Sequence, residues 1–147
     1  MTKRYLLLVF AYVVPTFLLG FVWHLVLFDS YYRELGIYRE HPIIPFGFGS
    51  MVIQAALFAW IYPRVVARPE SLTDGMKFAA VAALLSWSFT TLAVAAKQPM
   101  TSIPGFMAIE TGFTIVQFLL VGPLWVLAAR ASGGLPGSVP SAQIVDE

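Results

Sequence analysis

IPGFMAIETGFTIVQFLLVGPLWVLAAR, residues 103–130, is the stretch whose reading decides the fold. It is apolar over more than the roughly 20 helical residues that a hydrocarbon core of about 30 Å requires, and it carries one carboxylate, Glu110, within the run. A charged side chain at a membrane helix centre costs about 2.5–3.5 kcal/mol on insertion scales. Other helices must therefore shelter Glu110, and the stretch predicts a bundle.

The rest of the chain supplies those helices. Of its 147 residues, 59% are hydrophobic and 12% charged, with a mean hydropathy of +0.77, whereas soluble domains are about 25% charged. Apolar runs at residues 5–28, 43–62 and 78–96 join the one at 103–129. The expected fold is all-α, an integral membrane bundle of four transmembrane helices over residues 1–130. A disordered cytoplasmic tail rich in Gly, Pro and Ser, residues 131–147, follows.

The first run follows Lys3 and Arg4 as a secretory signal would, but it is longer than a signal core and lacks a small-x-small cleavage site before Asp29, so it reads as a retained span. Pro15 and Gly20 lie inside it. Residues 29–42, DSYYRELGIYREHP, form the one densely polar connection, an interfacial loop whose tyrosines suit the headgroup zone. A short helical turn ended by Gly36 fits its centre. IIPFGFGS, residues 43–50, opens the second span as a loose turn, and Ser71 to Asp74 before Gly75 reads as a turn leading into the third. The third span is rich in alanine, with Ser86, Ser88, Thr90 and Thr91, and small residues let helices approach closely in lipid, so it is the expected bundle centre.

Nine Lys and Arg against eight Asp and Glu give a net charge of +1 without a basic patch, which argues against a nucleic-acid partner. With four spans both termini share one side. Lys3, Arg4, Arg64, Arg68, Lys77 and Arg130 fall on that side, against Arg33, Arg39 and Lys97 opposite, which points to cytoplasmic termini. The absence of cysteine excludes disulfides, thiolate metal sites and thiol redox chemistry.

In that orientation Glu110 lies roughly 10 Å, and His24 roughly 6 Å, below the external side at 1.5 Å per residue. Helical spacing groups Glu110, Thr114 and Gln117 on one face of the fourth span, and Thr16, Gly20 and His24 on one face of the first. Gly47, Ser50 and Gln54 share a face of the second, and Ser86, Thr90 and Lys97 a face of the third. Packing all four stripes inward forms a polar-lined pocket in the external half. The candidate ligand-binding residues are Glu110, His24, Gln54, Thr114, Gln117 and Trp87, with His24 or Lys97 as ion-pair partners for Glu110. Against this, hydroxyls and amides in membrane helices serve mainly as interhelical hydrogen bonds worth about 0.6 kcal/mol each.

His24, Asp29, His41 and Glu110 are suitable metal ligand types but match no metal motif, so neither metal nor cofactor is expected. Trp23, Trp60 and Trp125 lie near span ends, as an aromatic belt requires, and Trp87 lies mid-span, where it would wall a cavity or simply pack. No phosphate loop, nucleophile elbow or HExxH motif is present.

GFVWHLVLFDSYYRELGIY, residues 20–38, and IETGFTIVQFLLVGPLWVL, residues 109–127, resemble small four-span bacterial membrane proteins grouped as a domain of unknown function. That resemblance implies a four-helix bacterial inner-membrane protein and no particular activity. In length and in its lone carboxylate the chain is also similar to small multidrug transporters, which place the acid on the first helix rather than the fourth. The expected function is non-enzymatic binding of a lipid, a small apolar molecule or a membrane-protein partner in the bilayer. The alternative is a homodimeric proton-coupled exporter in which Glu110 alternates between a proton and a cationic substrate.

Overall fold

The computed structural model describes residues 2–133. From residue 134 onward the expected tail lies outside the described residues. Within them the chain is all-helical, and four helices are long and apolar enough to cross a membrane, which makes this a multi-pass membrane protein. α1 is Thr2–Val22, continued by a π-helical turn at Trp23–Leu27. α2, Asp29–Glu34, is a short cap, and α3 is Ile44–Val65. α4, Leu72–Trp87, passes through a second π turn at Ser88–Leu92 into α5, Ala93–Ala95, and α6 is Ile103–Ala131.

Side-chain caps and prolines fix the boundaries. The Ser102 hydroxyl accepts from the Gly105 N–H at 3.1 Å to start α6, and Ser71 accepts from the Asp74 N–H at 3.4 Å to start α4. Residues 72–75, expected as a turn, are thus already helical. IIPFGFGS is not a loose turn either, because Pro45 occupies the first turn of α3, where a missing N–H costs nothing. Pro63 stays inside α3 near its end, so that helix runs to Val65 rather than stopping at residue 62. Gly36, at φ +77°, turns the chain sharply after α2 in a left-handed conformation that glycine adopts freely.

α6, not the alanine-rich third span, is the bundle centre. Half of the most apolar window of α6 is buried, against 17% for the third span. α6 packs along both α1 and α4, and α1 packs along α3, giving the lateral order α3–α1–α6–α4. The α4–α6 crossing is close because Gly75 and Gly122 lie in it. A Cβ on Gly122 would stand 2.6 Å from Met76 Sδ and 3.0 Å from Ala79 Cβ. Small residues bring the backbones together, as in other membrane bundles.

Near the end of the bundle that carries Thr2 and Ala131, the terminal end, Trp125 is fully buried rather than interfacial. Its ring stacks on Tyr12 at 5.9 Å and 13°, and Phe58, Tyr62, Phe78 and Phe118 surround it at 5.2–6.3 Å between centroids. Such pairs contribute about 0.5–1.5 kcal/mol each beyond area burial. Because α6 runs through the middle, even a residue near its end is covered by three neighbours. Trp60 keeps the belt role, exposed with the Arg64 guanidinium 4.3 Å over its ring.

Candidate functional site: a cavity walled by Glu110

At the opposite, loop-bearing end the bundle is held by a second, smaller core of Tyr32, Leu35 and Phe106. α2 is the expected helical turn before Gly36, and it docks on α6 through Tyr32, Leu35 and Phe106. The Thr101 N–H donates to Leu35 O at 3.2 Å, and the Thr101 hydroxyl donates to Glu34 O at 2.9 Å. Gly105 leaves room for the Tyr31 hydroxyl, which would stand 2.3 Å from any Cβ there.

This docking brings Tyr32 onto Glu110. The Tyr32 side chain is 1% exposed, and its hydroxyl donates to Glu110 Oε1 at 2.5 Å. Tyr38 stacks on it at 4.8 Å and 5°. Burial first, and the nearby Glu110 carboxylate second, hold both phenols well above the usual tyrosine range. Sequence reasoning missed Tyr32 because its neighbours Asp29, Ser30, Arg33 and Glu34 mark the segment as solvated.

His24 comes from the π turn ending α1, whose wide geometry shows in the Phe28 N–H bond to Trp23 O at 3.0 Å. Its ring packs between Phe113 at 4.6 Å and Tyr32 at 4.9 Å. His24 Nδ1 lies 4.0 Å from Glu110 Oε1, beyond hydrogen-bonding distance, and has no hydrogen-bond partner among the described residues. Lys97 is exposed and enters no ion pair among the described residues.

Glu110 and His24 face a cavity of about 580 Å³ lined also by Phe17, Phe48, Met51 and Phe106. α3 and the second half of α4 stand on opposite sides of it, through Phe46 and Thr90. Those two helices meet through side chains nearer the terminal end, where Phe78 packs on Phe58 and Tyr62. The cavity is therefore the gap left in the α3–α4 seam.

The other four predicted site residues do not line it. Tyr12 donates to Gln54 Oε1 at 2.5 Å, while Gln117 Nε2 donates to Tyr12 at 3.1 Å and to Thr16 at 3.2 Å. Gln54 and Gln117 thus close a three-helix network beneath the cavity, with Tyr12 as its unforeseen hub. The buried Thr114 hydroxyl donates to Glu110 O at 2.9 Å, within its own helix. Trp87 Nε1 donates to the Thr111 hydroxyl at 2.9 Å and pins α4 to α6. Trp87 therefore packs and does not wall the cavity, and Phe89 beside it is 72% exposed.

Two of the four expected inward stripes also differ. Gly47 and Ser50 are exposed, because α3 meets the core only through Ala55, Phe58, Ala59 and Tyr62. On the third span Thr91, not Thr90, is buried, because the π turn adds a residue and moves later positions around the helix. No group of three or more His, Cys, Asp or Glu that could hold a metal ion occurs among the described residues. Asp29 is paired with Arg33 at 2.7 Å, and His41 is exposed.

Comparison with known proteins finds no family model, no curated protein and no solved structure that matches this chain.

Proposed function

We propose that the protein is a non-enzymatic, multi-pass binding protein of the cell inner membrane that takes a lipid or small apolar molecule into the cavity beside Glu110. The carrying observation is the Glu110 carboxylate in the wall of a cavity of about 580 Å³ whose lining also includes Arg39 and is otherwise largely apolar and aromatic. That composition suits an apolar body whose polar group offers a hydrogen-bond donor or positive centre to Glu110. Tyr32 satisfies one carboxylate oxygen and orients the group, leaving the ligand to engage the other. The distribution of basic residues supports cytoplasmic termini, which puts the cavity in the external half.

The test is native mass spectrometry of gently extracted protein, with lipid and small-molecule extraction of the same sample. A bound species on the wild type that is depleted in Glu110→Gln and in Thr90→Trp, which fills the cavity, is the expected result. An identical set of bound species on all three proteins, or none in several detergents, would sink the proposal. Proton flux driven by organic cations in proteoliposomes and lost in Glu110→Gln would replace binding with export.

A further inference from the structure

The α3–α4 seam opens a second time, in the terminal half of the bundle. There a groove of about 700 Å³ runs between the two helices, with Phe58, Val65, Phe78, Val81 and Leu85 along its walls. Val65, Val81 and Leu85 are each more than half exposed, so hydrocarbon covers this face when the helices are in a bilayer. At the top of the groove, where α3 ends and α4 begins, the lining changes to Arg68, Asp74 and Lys77.

The rim carries two cations and one acid. Arg68 Nε lies 2.8 Å and Lys77 Nζ 4.0 Å from the Asp74 carboxylate, so one positive charge is left over. The two basic side chains are 74% and 76% exposed, whereas Asp74 is 15% exposed beneath them. An incoming group meets the cations first.

We propose that this groove binds one anionic glycerophospholipid of the leaflet on the terminal side, with an acyl chain between α3 and α4 and the phosphate over Arg68 and Lys77. Charge and shape agree on that occupant. A free anion would leave the long apolar wall unused, and a second copy of this chain related by a two-fold axis would bring the basic rims face to face. An anionic lipid presents phosphate and hydrocarbon together, and a basic residue near the surface favours it about fivefold.

The site is independent of Glu110 and is tested separately. Full-length protein in a non-ionic detergent would be titrated with phosphatidylglycerol or phosphatidylcholine of identical chains, with binding read by native mass spectrometry. The wild type should prefer phosphatidylglycerol at one site. Lys77→Gln should weaken that binding about fivefold, and Arg68→Gln with Lys77→Gln should abolish the preference. Val81→Trp, which fills the groove without touching a charge, should weaken both lipids. Since Lys77 is exposed, its variant remains folded by circular dichroism and decides the matter if the double variant does not fold. Equal affinities for the two lipids on the wild type, or unchanged binding in Lys77→Gln, would overturn the proposal. So would full competition by glycerol 3-phosphate, which marks a simple anion site, or dissociation of a dimer by Val81→Trp.

Discussion

Gly75→Ala tests the close crossing of α4 and α6. The added Cβ would stand 2.3 Å from Val126 Cγ2 and 3.0 Å from the Tyr62 hydroxyl. Carbon atoms settle at about 3.5–4.0 Å, so the first contact is at least about 1.2 Å too short. Val126 is 2% exposed, and a β-branched side chain in a helix has essentially one comfortable rotamer, so it cannot swing aside. The helices must part instead. Overpacking of this kind costs about 1–3 kcal/mol, while alanine returns about 1 kcal/mol of helix propensity, so the single variant understates the clash. A double-mutant cycle with Val126→Ala removes the propensity contribution. Truncating Val126 deletes the obstructing methyl, and the double variant should be more stable than the sum of the singles by about 1–3 kcal/mol. The assay is reversible unfolding in mixed detergent micelles followed by helical circular dichroism. Additivity to within about 0.5 kcal/mol would refute the close approach of α4 and α6.

Tyr32→Phe removes the hydrogen bond that the Tyr32 hydroxyl donates to the Glu110 carboxylate while keeping the ring, and should lower stability by about 1–3 kcal/mol in the same assay. Tyr12→Phe cuts both arms of the Gln54–Tyr12–Gln117 network, and its loss of about 1–2 kcal/mol should shrink to near zero in a Gln54→Leu, Gln117→Leu background. Tyr32 and Tyr38 are acids whose folded pKa values lie above the unfolded value of 10.0. The folded state holds their protons more tightly, so their contribution is fully present below about pH 10 and is lost as pH rises beyond it. Unfolding free energy measured upward from pH 9 should fall, and the fall should be shallower in Tyr38→Phe.

The spans were legible because each is a long apolar run, a signal that tertiary packing does not alter. Glu110 and His24 were legible for the converse reason, as ionisable groups in apolar surroundings. Which span lies at the centre was not. Alanine content marks a helix that permits close approach, but here that permission serves one crossing, while α6 is enclosed by bulky partners: Tyr12, Phe58, Tyr62 and Phe78 all converge on Trp125. Position near a span end made Trp125 look interfacial, and only the lateral order of helices reverses that. Tyr32 was hidden by its charged neighbours, since in a six-residue helix one face suffices to dock and the others stay wet. Gln54 and Gln117 bond to Tyr12 beneath the cavity and do not line it, since spacing cannot tell a side chain that faces a cavity from one that closes its floor.

The two π turns have a consequence for chain length. Each contains one residue more than an α-helix needs to cover the same rise, and each borders the cavity, through His24 in one and Thr90 in the other. Deleting a single residue from Trp23–Leu27 would restore α-helix and swing the attached α2 cap by about 100° relative to α1. The same deletion in Ser88–Leu92 would re-aim the far end of the third span. Tyr12, before the first turn, and Gly75 and Phe78, before the second, would keep their places against α6 in the Trp125 cluster and the α4–α6 crossing. The protein thus has two points where a one-codon loss should rebuild the mouth of the cavity and spare the bundle beneath it.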